Sequence, residues 1–476
     1  MMRVLSVASE CAPLVKTGGL ADVTGALPRA LAAEGVEMRV LLPGYPAVMA
    51  ALEDVAPVID FDDLFGGPAR LLAGMAAGLD LLVIDAPHLY DRAGGPYHAP
   101  DGTDWHDNPE RFAALSWVAA HVAAHGAGDW HPQILHGHDW QAGLMTEYLR
   151  GMDAPAIRTV LTIHNIAFHG NVGADRLGAL RLDPSRFTHD GFEYWGMISA
   201  LKAGLVGADA LTTVSPRYAE ELMTPEFGMG MDGVMRHRRD DLSGILNGID
   251  HEVWNPTKDP LVTPYEKPAG KLANKAALRA EFGLPEAAGP LCIVVSRMTF
   301  QKGLDLLLEA LPALTARGGQ LALLGSGERE LENAFRNAAG QDPNVAVRIG
   351  YDEGLSHRMM AGGDAILVPS RFEPCGLTQL YGLRYGTLPL VALTGGLADT
   401  VINASPAAMA QGVATGLQFA PVTVEALRNA LAHLCDLYAQ PKIWARMQRN
   451  AMSQPVGWDQ SAREYARLYH RLAAGK

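Results

Sequence analysis

The stretch LCIVVSRMTFQKGLDLLLEALPAL, residues 291–314, decides the fold. Its first five residues, Leu291 to Val295, form an unbroken apolar run, the pattern of a strand buried on both faces. A loop carrying Arg297 and Lys302 follows, and then Leu304, Leu307, Leu308 and Leu311 recur at i, i+3, i+4 and i+7. That period is one face of a helix, so residues 303–314 read as helical. Strand, loop and helix in this order form the repeating unit of a parallel sheet covered on both sides.

The same rhythm extends in both directions. Downstream, strands are expected at 320–324, 345–349, 364–368 and 388–392, with helices at 328–339 and 376–386. Upstream, strands are expected at 4–7, 36–42, 79–84, 133–135, 159–163 and 210–214, with a helix at 21–33 ended by Gly35. Residues 255–275 are rich in Pro and Lys, lack periodicity, and read as a connection or domain entry. The fold class is therefore α/β, two doubly wound Rossmann-like domains that meet near residues 245–255.

The whole chain has 476 residues and 39 Lys+Arg against 52 Asp+Glu, a net charge of −13. That balance excludes a broadly basic nucleic-acid or membrane surface. The four cysteines show no paired metal-ligand spacing, and with no signal-peptide pattern at the N-terminus they fit a cytoplasmic protein. No metal or redox cofactor is indicated. Gly325-Ser326-Gly327 has Glu330 where a dinucleotide fingerprint needs its third glycine. Nothing in the sequence bears on oligomeric state.

Ligands of such sheets bind beyond the carboxyl ends of the strands. After the first strand stand Lys16, Thr17, Gly18 and Gly19, whose backbone can approach an anion or simply turn tightly. Arg297 and Lys302 flank the start of the helix quoted above, where a diphosphate would be favoured. After the strand at 364–368 come Arg371, Glu373, Pro374, Cys375, Gly376, Leu377 and Thr378. Glu373 is either a site carboxylate or a first-turn helix partner, the amides of Gly376 to Thr378 suit an anion or hydroxyl, and Cys375 reads as a small buried hydrophobe. His136 and His138 read as hydrogen-bonded structural groups, and His164 as the better site candidate. The hexapeptide TGGLAD occurs at 17–22 and again at 394–399, and we expect the two loops to do related work, one in each domain. Trp105, Trp117 and Trp130 read as core or as sugar platforms, with core preferred.

Motifs distributed along nearly the whole chain carry a family resemblance. KTGGLADVTGALPRAL at 16–31, LTIHN at 161–165 and ILNGID at 245–250 resemble the glycogen and starch synthases, as do SRMTFQKGLD at 296–305 and IGYDE at 349–353. SRFEPCGLTQLYGLRYGTLPLV at 370–391 and TGGLADTV at 394–401 complete the set. The resemblance implies a GT-B fold, its two domains (1–245 on the acceptor side, 246–455 on the donor side) facing each other across a deep cleft. It also implies that residues 456–476 form a helix crossing back to the first domain, rather than one capping the second.

The implied reaction moves glucose from ADP-glucose, a substrate and not a cofactor, to the non-reducing end of an α-1,4-glucan with retention. By motif position, Lys16, Gly18 and Gly19 would lie beside the donor phosphate and glucose, and Asp22 on the acceptor side. Arg297 and Lys302 would neutralise the diphosphate, and Glu373 would contact the transferred glucose. His164, Asn165 and Asn247 would line the sugar pocket, Tyr351 would pack on adenine, and Cys375, Gly376, Leu377 and Thr378 would border ribose and phosphate. The catalytic set on this reading is Glu373, His164, Lys16, Arg297 and Lys302. Retention can proceed through a carboxylate nucleophile or on one face with help from the departing diphosphate; the sequence offers no partner carboxylate for Glu373, which favours the second route. A transferase using UDP-glucose or another acceptor, and a non-catalytic glucan-binding relative, are the competing functions.

Overall fold

In the first sheet the chain starts in the middle and builds outward both ways. The computed structural model describes residues 1–152, 154 and 157–475, divided into two compact units. The first is Met1–Asn247 with the terminal segment from Trp458, and the second is Gly248–Gly457. Both junctions fall two residues beyond the expected 245/246 and 455/456.

In the first unit, Met2–Val7 lies at the centre of a nine-stranded sheet, its Val4, Leu5 and Val7 without solvent contact. On one side follow Val36–Pro43 and Leu79–Asp85; on the other, Ile134–His138, Arg158–Ile163, Ala210–Thr213 and Leu242–Gly244, all parallel. Two antiparallel strands, Ala69–Ala76 and Glu53–Phe61, close one edge and were not expected. The outer one is mostly exposed and contains Pro57, so it carries no continuous apolar run. Helix Gly19–Ala32 buries Leu20, Val23, Leu27 and Leu31, one face, against the sheet. The terminal helix Asp459–Ala473 adds Tyr465, Leu468 and Tyr469 to the same core. Tyr469 Oη is hydrogen-bonded to His136 Nδ1 at 2.7 Å, so the helix is part of the first unit and not a cap on the second.

The second unit is a six-stranded, all-parallel sheet in the order Val345–Ile349, Gln320–Gly325, Leu291–Val295, Ala365–Val368, Leu388–Ala392, Leu417–Phe419. Its order reverses between Leu291–Val295 and Ala365–Val368, as that of the first sheet does between Met2–Val7 and Ile134–His138. At such reversals the flanking helices diverge to opposite faces and leave a crevice beyond the strand ends. Helix Leu304–Thr315 starts one residue later than expected because Gly303 takes φ +64°, and a Cβ there would stand 2.1 Å from the Pro369 carbonyl oxygen. The lysine-rich stretch 255–275 is packed into the second unit as a domain entry. Lys271 is buried, donates to the carbonyls of Met360, Ala361 and Tyr385 and to Thr387 Oγ1, and burial pushes its pKa down to about 7. No helix among the described residues is long and apolar enough to cross a membrane.

Candidate active site

The reversal point of the second sheet gathers two loops that interlock. Arg371 forms a bidentate pair with Asp305 at 2.7 and 2.6 Å, donates to the Phe300 carbonyl at 2.7 Å, and stacks its guanidinium 3.7 Å from the Phe300 ring centroid. Its own amide donates to the Gln301 carbonyl, and Gln301 Nε2 returns a bond to the Phe372 carbonyl. Arg371 is thus committed inside the protein, holding one loop against the other. The same pairing sets Lys302 Nζ 2.6 Å from Glu373 Oε2, which also accepts from Ser370 Oγ at 3.0 Å. The Glu373 side chain is buried, so it is a paired interior carboxylate and not a solvated partner of a helix start. Arg297 is exposed and has no ion pair among the described residues. Its cation is free in a way that those of Lys302 and Arg371 are not.

Helix Thr378–Tyr385 opens on Leu377 without a side-chain cap, two residues after the expected start at 376. Its first amides therefore have no intrahelical partner. Gly376 at φ +72° brings its carbonyl, with that of Cys375, to Gln379 Nε2 at 2.9 and 3.0 Å. Cys375 is buried beside them. Tyr351 is 75% exposed on the loop after Val345–Ile349, its hydroxyl donating to Glu353.

In the first unit the Lys16 loop is organised by a residue that the sequence did not single out. Glu10 is buried, and its carboxylate accepts from the Thr17 amide, from Thr17 Oγ1 at 2.6 Å, from the Gly18 amide at 3.3 Å, and from the Tyr97 hydroxyl. The amides expected to face a bound anion at Thr17 and Gly18 are therefore taken by an internal carboxylate. Lys16 Nζ pairs with Asp22 Oδ1 at 2.7 Å, partly exposed.

Strand Ile134–His138 runs beyond the expected 133–135 because its polar residues are satisfied inside. His136 Nε2 meets Thr162 Oγ1 at 2.6 Å, His138 Nε2 meets Ser6 Oγ at 3.0 Å, and His138 Nδ1 meets His164 Nε2 at 3.0 Å. Burial, the dominant cause, pushes His136 and His164 down to about 3, so all three rings stay neutral near pH 7. Asp139, at φ +56°, accepts from the His164 amide at 2.6 Å and the Asn165 amide at 3.4 Å. Burial raises its carboxyl to about 7 despite those bonds. Asn247 is buried at the end of the unit, its Oδ1 without a hydrogen-bond partner among the described residues. Glu10, Tyr97 and Asp139 carried no sequence signal, since Tyr97 and Asp139 meet distant partners and Glu10 meets Thr17 and Gly18 only once the loop has folded back on it. Among the described residues no group of three or more His, Cys, Asp or Glu is placed to hold a metal ion. Trp130 is buried and donates to Glu37, Trp117 packs on Phe61, and Trp105 donates to the Gly95 carbonyl.

The two TGGLAD copies do different work. The first follows the first strand, and a Cβ on Gly18 or Gly19 would meet nothing within 4 Å. The second follows Leu388–Ala392 and braces the Glu373 loop. The Gly396 amide donates to the Glu373 and Pro374 carbonyls, and a Cβ on Gly395 would fall 2.0 Å from the Glu373 carbonyl oxygen. Gly18→Ala should leave the thermal midpoint near wild type, whereas Gly396→Ala, with a Cβ 2.4 Å from the Cys375 carbonyl oxygen, should cost about 2 kcal/mol. Thermal unfolding of both variants checks this; equal midpoints would contradict it.

Two doubly wound units, each with its charged and polar side chains gathered beyond the strand ends at a reversal point, define a glycosyltransferase of the GT-B class. Residues 3–237 match the family model for the starch synthase catalytic domain, and residues 289–436 match that for glycosyl transferases group 1. The chain belongs to the glycogen synthase family. It is 68% identical to a glycogen synthase of Jannaschia sp. (strain CCS1), over 99% of this chain and 100% of that one. It is 64% identical to that of Paracoccus denitrificans (strain Pd 1222), over 100% of each. Among solved structures, the catalytic domain of starch synthase IV from Arabidopsis thaliana, bound to ADP and acarbose, superposes with a TM-score of 0.88 at 30% identity, covering 99% of both chains.

Proposed function

We propose that this chain transfers glucose from ADP-glucose to the non-reducing end of an α-1,4-glucan with retention of anomeric configuration. The observation that carries the reading is the Lys302–Glu373 pair at the reversal point of the second sheet, with the unpaired Arg297 on the same loop. As the bond between glucose and diphosphate breaks, negative charge grows on the departing ADP. Lys302 and Arg297 meet that charge, stabilising the transition state more than the ground state. The amides of Gly376, Leu377 and Thr378, beside Cys375, take the ribose and phosphate region, and Tyr351 takes adenine. Glu373 holds the transferred glucose through its hydroxyls and supports positive charge at the anomeric carbon.

On this reading the acceptor hydroxyl attacks from the face that ADP leaves. The C1–O bond to diphosphate breaks, the new C1–O bond forms, and the hydroxyl proton passes to a diphosphate oxygen. The engagement of Glu373 by both Lys302 and Ser370 supports a positioning carboxylate rather than a nucleophile. Lys16, Gly18, Gly19, Asp22, His164, Asn165 and Asn247 supply the sugar side. Neutral His164 then serves by hydrogen bonding and not as a proton carrier, because protonating it costs too much when buried. The ADP and acarbose of the Arabidopsis structure support nucleotide and glucan partners. No cofactor takes part, and neither nucleic acid nor membrane is a partner. Four buried free thiols accord with a cytoplasmic setting.

The test is nucleoside diphosphate release from ADP-glucose and UDP-glucose with glycogen as acceptor. Faster release from ADP-glucose, with lengthened glucan, is expected. Preference for UDP-glucose would reassign the donor, and no elongation with either would indicate a glucan-binding relative.

A further inference from the structure

Gly325-Ser326-Gly327-Glu328 ends strand Gln320–Gly325, and the transfer of glucose leaves it without a role. In the folded second unit it braces the loops on either side. The Ser296 and Met298 amides donate to the carbonyls of Leu324 and Ser326 at 3.1 and 2.8 Å. The Glu328 amide donates back to the Met298 carbonyl at 2.8 Å. A Cβ on Gly325 or Gly327 would collide with the carbonyl oxygen of Ser296 or Met298, so glycine is what permits this approach. On its other side the Gly325 carbonyl accepts the Gly350 amide at 3.0 Å, one residue before Tyr351. The turn therefore stands between the loop of Arg297 and Lys302 and the loop of Tyr351.

Glu328 adds a side chain to this brace. It stands at the N-cap of helix Arg329–Gln341, where Ser, Thr, Asp or Asn is favoured, and makes no cap bond to that helix. Its Oε1 instead accepts the Phe300 amide at 3.0 Å, 28 residues away in sequence. Phe300 opens the single helical turn Phe300–Lys302, whose first amides have no partner within the turn. Thr299 is placed to cap that turn and does not. Its side chain makes no cap bond, and its buried Oγ1 has no hydrogen-bond partner among the described residues. Glu328 supplies from a distance what Thr299 would ordinarily supply locally. An exposed carboxylate beside a loop that meets a diphosphate opposes the ligand's charge, so a purely electrostatic role would disfavour it. Lys302 is located by Glu373 at 2.6 Å, whereas Arg297 has no ion pair among the described residues and is placed by the backbone path of its loop.

We propose that Glu328 is a positioning residue for the sugar-nucleotide donor: by capping the Phe300–Lys302 turn it holds the loop that aims Arg297 at the diphosphate. The inference rests on the donor reading given above. Glu328 touches no substrate and acts through the loop alone. Its carboxylate matters as a hydrogen-bond acceptor of the right reach and not as a charge, which separates this role from a general electrostatic one.

The experiment compares wild type with Glu328→Ala, Glu328→Gln, Arg297→Gln and the double variant Glu328→Ala/Arg297→Gln. Initial rates, calorimetric ADP affinity and thermal midpoints are read for each. Glu328→Ala should lower kcat/KM for ADP-glucose and ADP affinity about fivefold. KM for glycogen and the thermal midpoint should stay unchanged, because Glu328 is exposed. Glu328→Gln keeps an acceptor for the Phe300 amide and should restore both donor values. In the Arg297→Gln background the loss should shrink to under about twofold, since the cation that the cap aims is already gone. Glu328→Ala equal to wild type overturns the proposal, as does an equally impaired Glu328→Gln or an undiminished loss in the double variant. A lowered midpoint with a matching rise in glycogen KM would make Glu328 a merely structural residue and overturn it too. The expected pattern of ADP affinities in an enzyme that transfers no glucose from ADP-glucose would overturn the activity reading and leave the role of Glu328 standing.

Discussion

Glu373→Gln is expected to lower turnover about a thousandfold while ADP binds at least as well as to wild type. Gln keeps the shape of Glu and still accepts from Ser370 Oγ, so the loop braced by Gly396 and clamped by Arg371–Asp305 keeps its path. The negative charge is what disappears. In the ground state Lys302 then loses an internal partner only 2.6 Å away and becomes freer to meet a diphosphate. In the transition state the anomeric carbon loses the carboxylate that offsets its positive charge. Binding and turnover should therefore part company, which a merely structural carboxylate would not cause. Calorimetric titration with ADP beside initial-rate assays with ADP-glucose and glycogen measures both. Turnover near wild type would remove Glu373 from the reaction, and weakened ADP binding would mean the loop had moved.

How much of this was legible beforehand follows from which interactions are local. The parallel strands announced themselves because strands buried on both faces must be apolar throughout, as Leu291–Val295 and Leu388–Ala392 are. The edge strands did not, because Glu53–Phe61 faces solvent. Glycine loops and lone charges stood out at strand ends, since helix starts and reversal points favour such residues. Their division of labour was hidden. TGGLAD looks the same in both places, yet one copy stands open and the other is packed against Glu373 and Cys375. Glu10 looked like any acidic residue after a strand, and only the folded loop shows it holding the amides of Thr17 and Gly18. Arg371 was given no role from the sequence, because its commitment to Asp305 depends on a contact 66 residues away in sequence.

That commitment sharpens the last expectation, which separates the two cations left for the donor. Lys302→Gln should damage both fold and function, whereas Arg297→Gln should damage function alone. Removing Lys302 strips Glu373, whose side chain is only 10% exposed, of the ammonium that offsets its burial. Breaking such a pair from one side typically costs about 3 kcal/mol, because a buried charge is left uncompensated. Lys302→Gln should therefore unfold earlier on heating and also lose about a hundredfold in kcat/KM for ADP-glucose. Arg297 has no internal partner to strand, so Arg297→Gln should melt with wild type while losing donor efficiency about tenfold or more. The double variant Lys302→Gln/Glu373→Gln provides the check. With both charges gone the uncompensated carboxylate is gone too, so stability should return toward wild type while activity stays lost. Differential scanning calorimetry of the four proteins reads the stability, and initial rates over a range of ADP-glucose concentrations read the function. A stability loss in Arg297→Gln equal to that of Lys302→Gln, or no recovery in the double variant, would mean that the uncompensated charge of Glu373 is not the source of the loss.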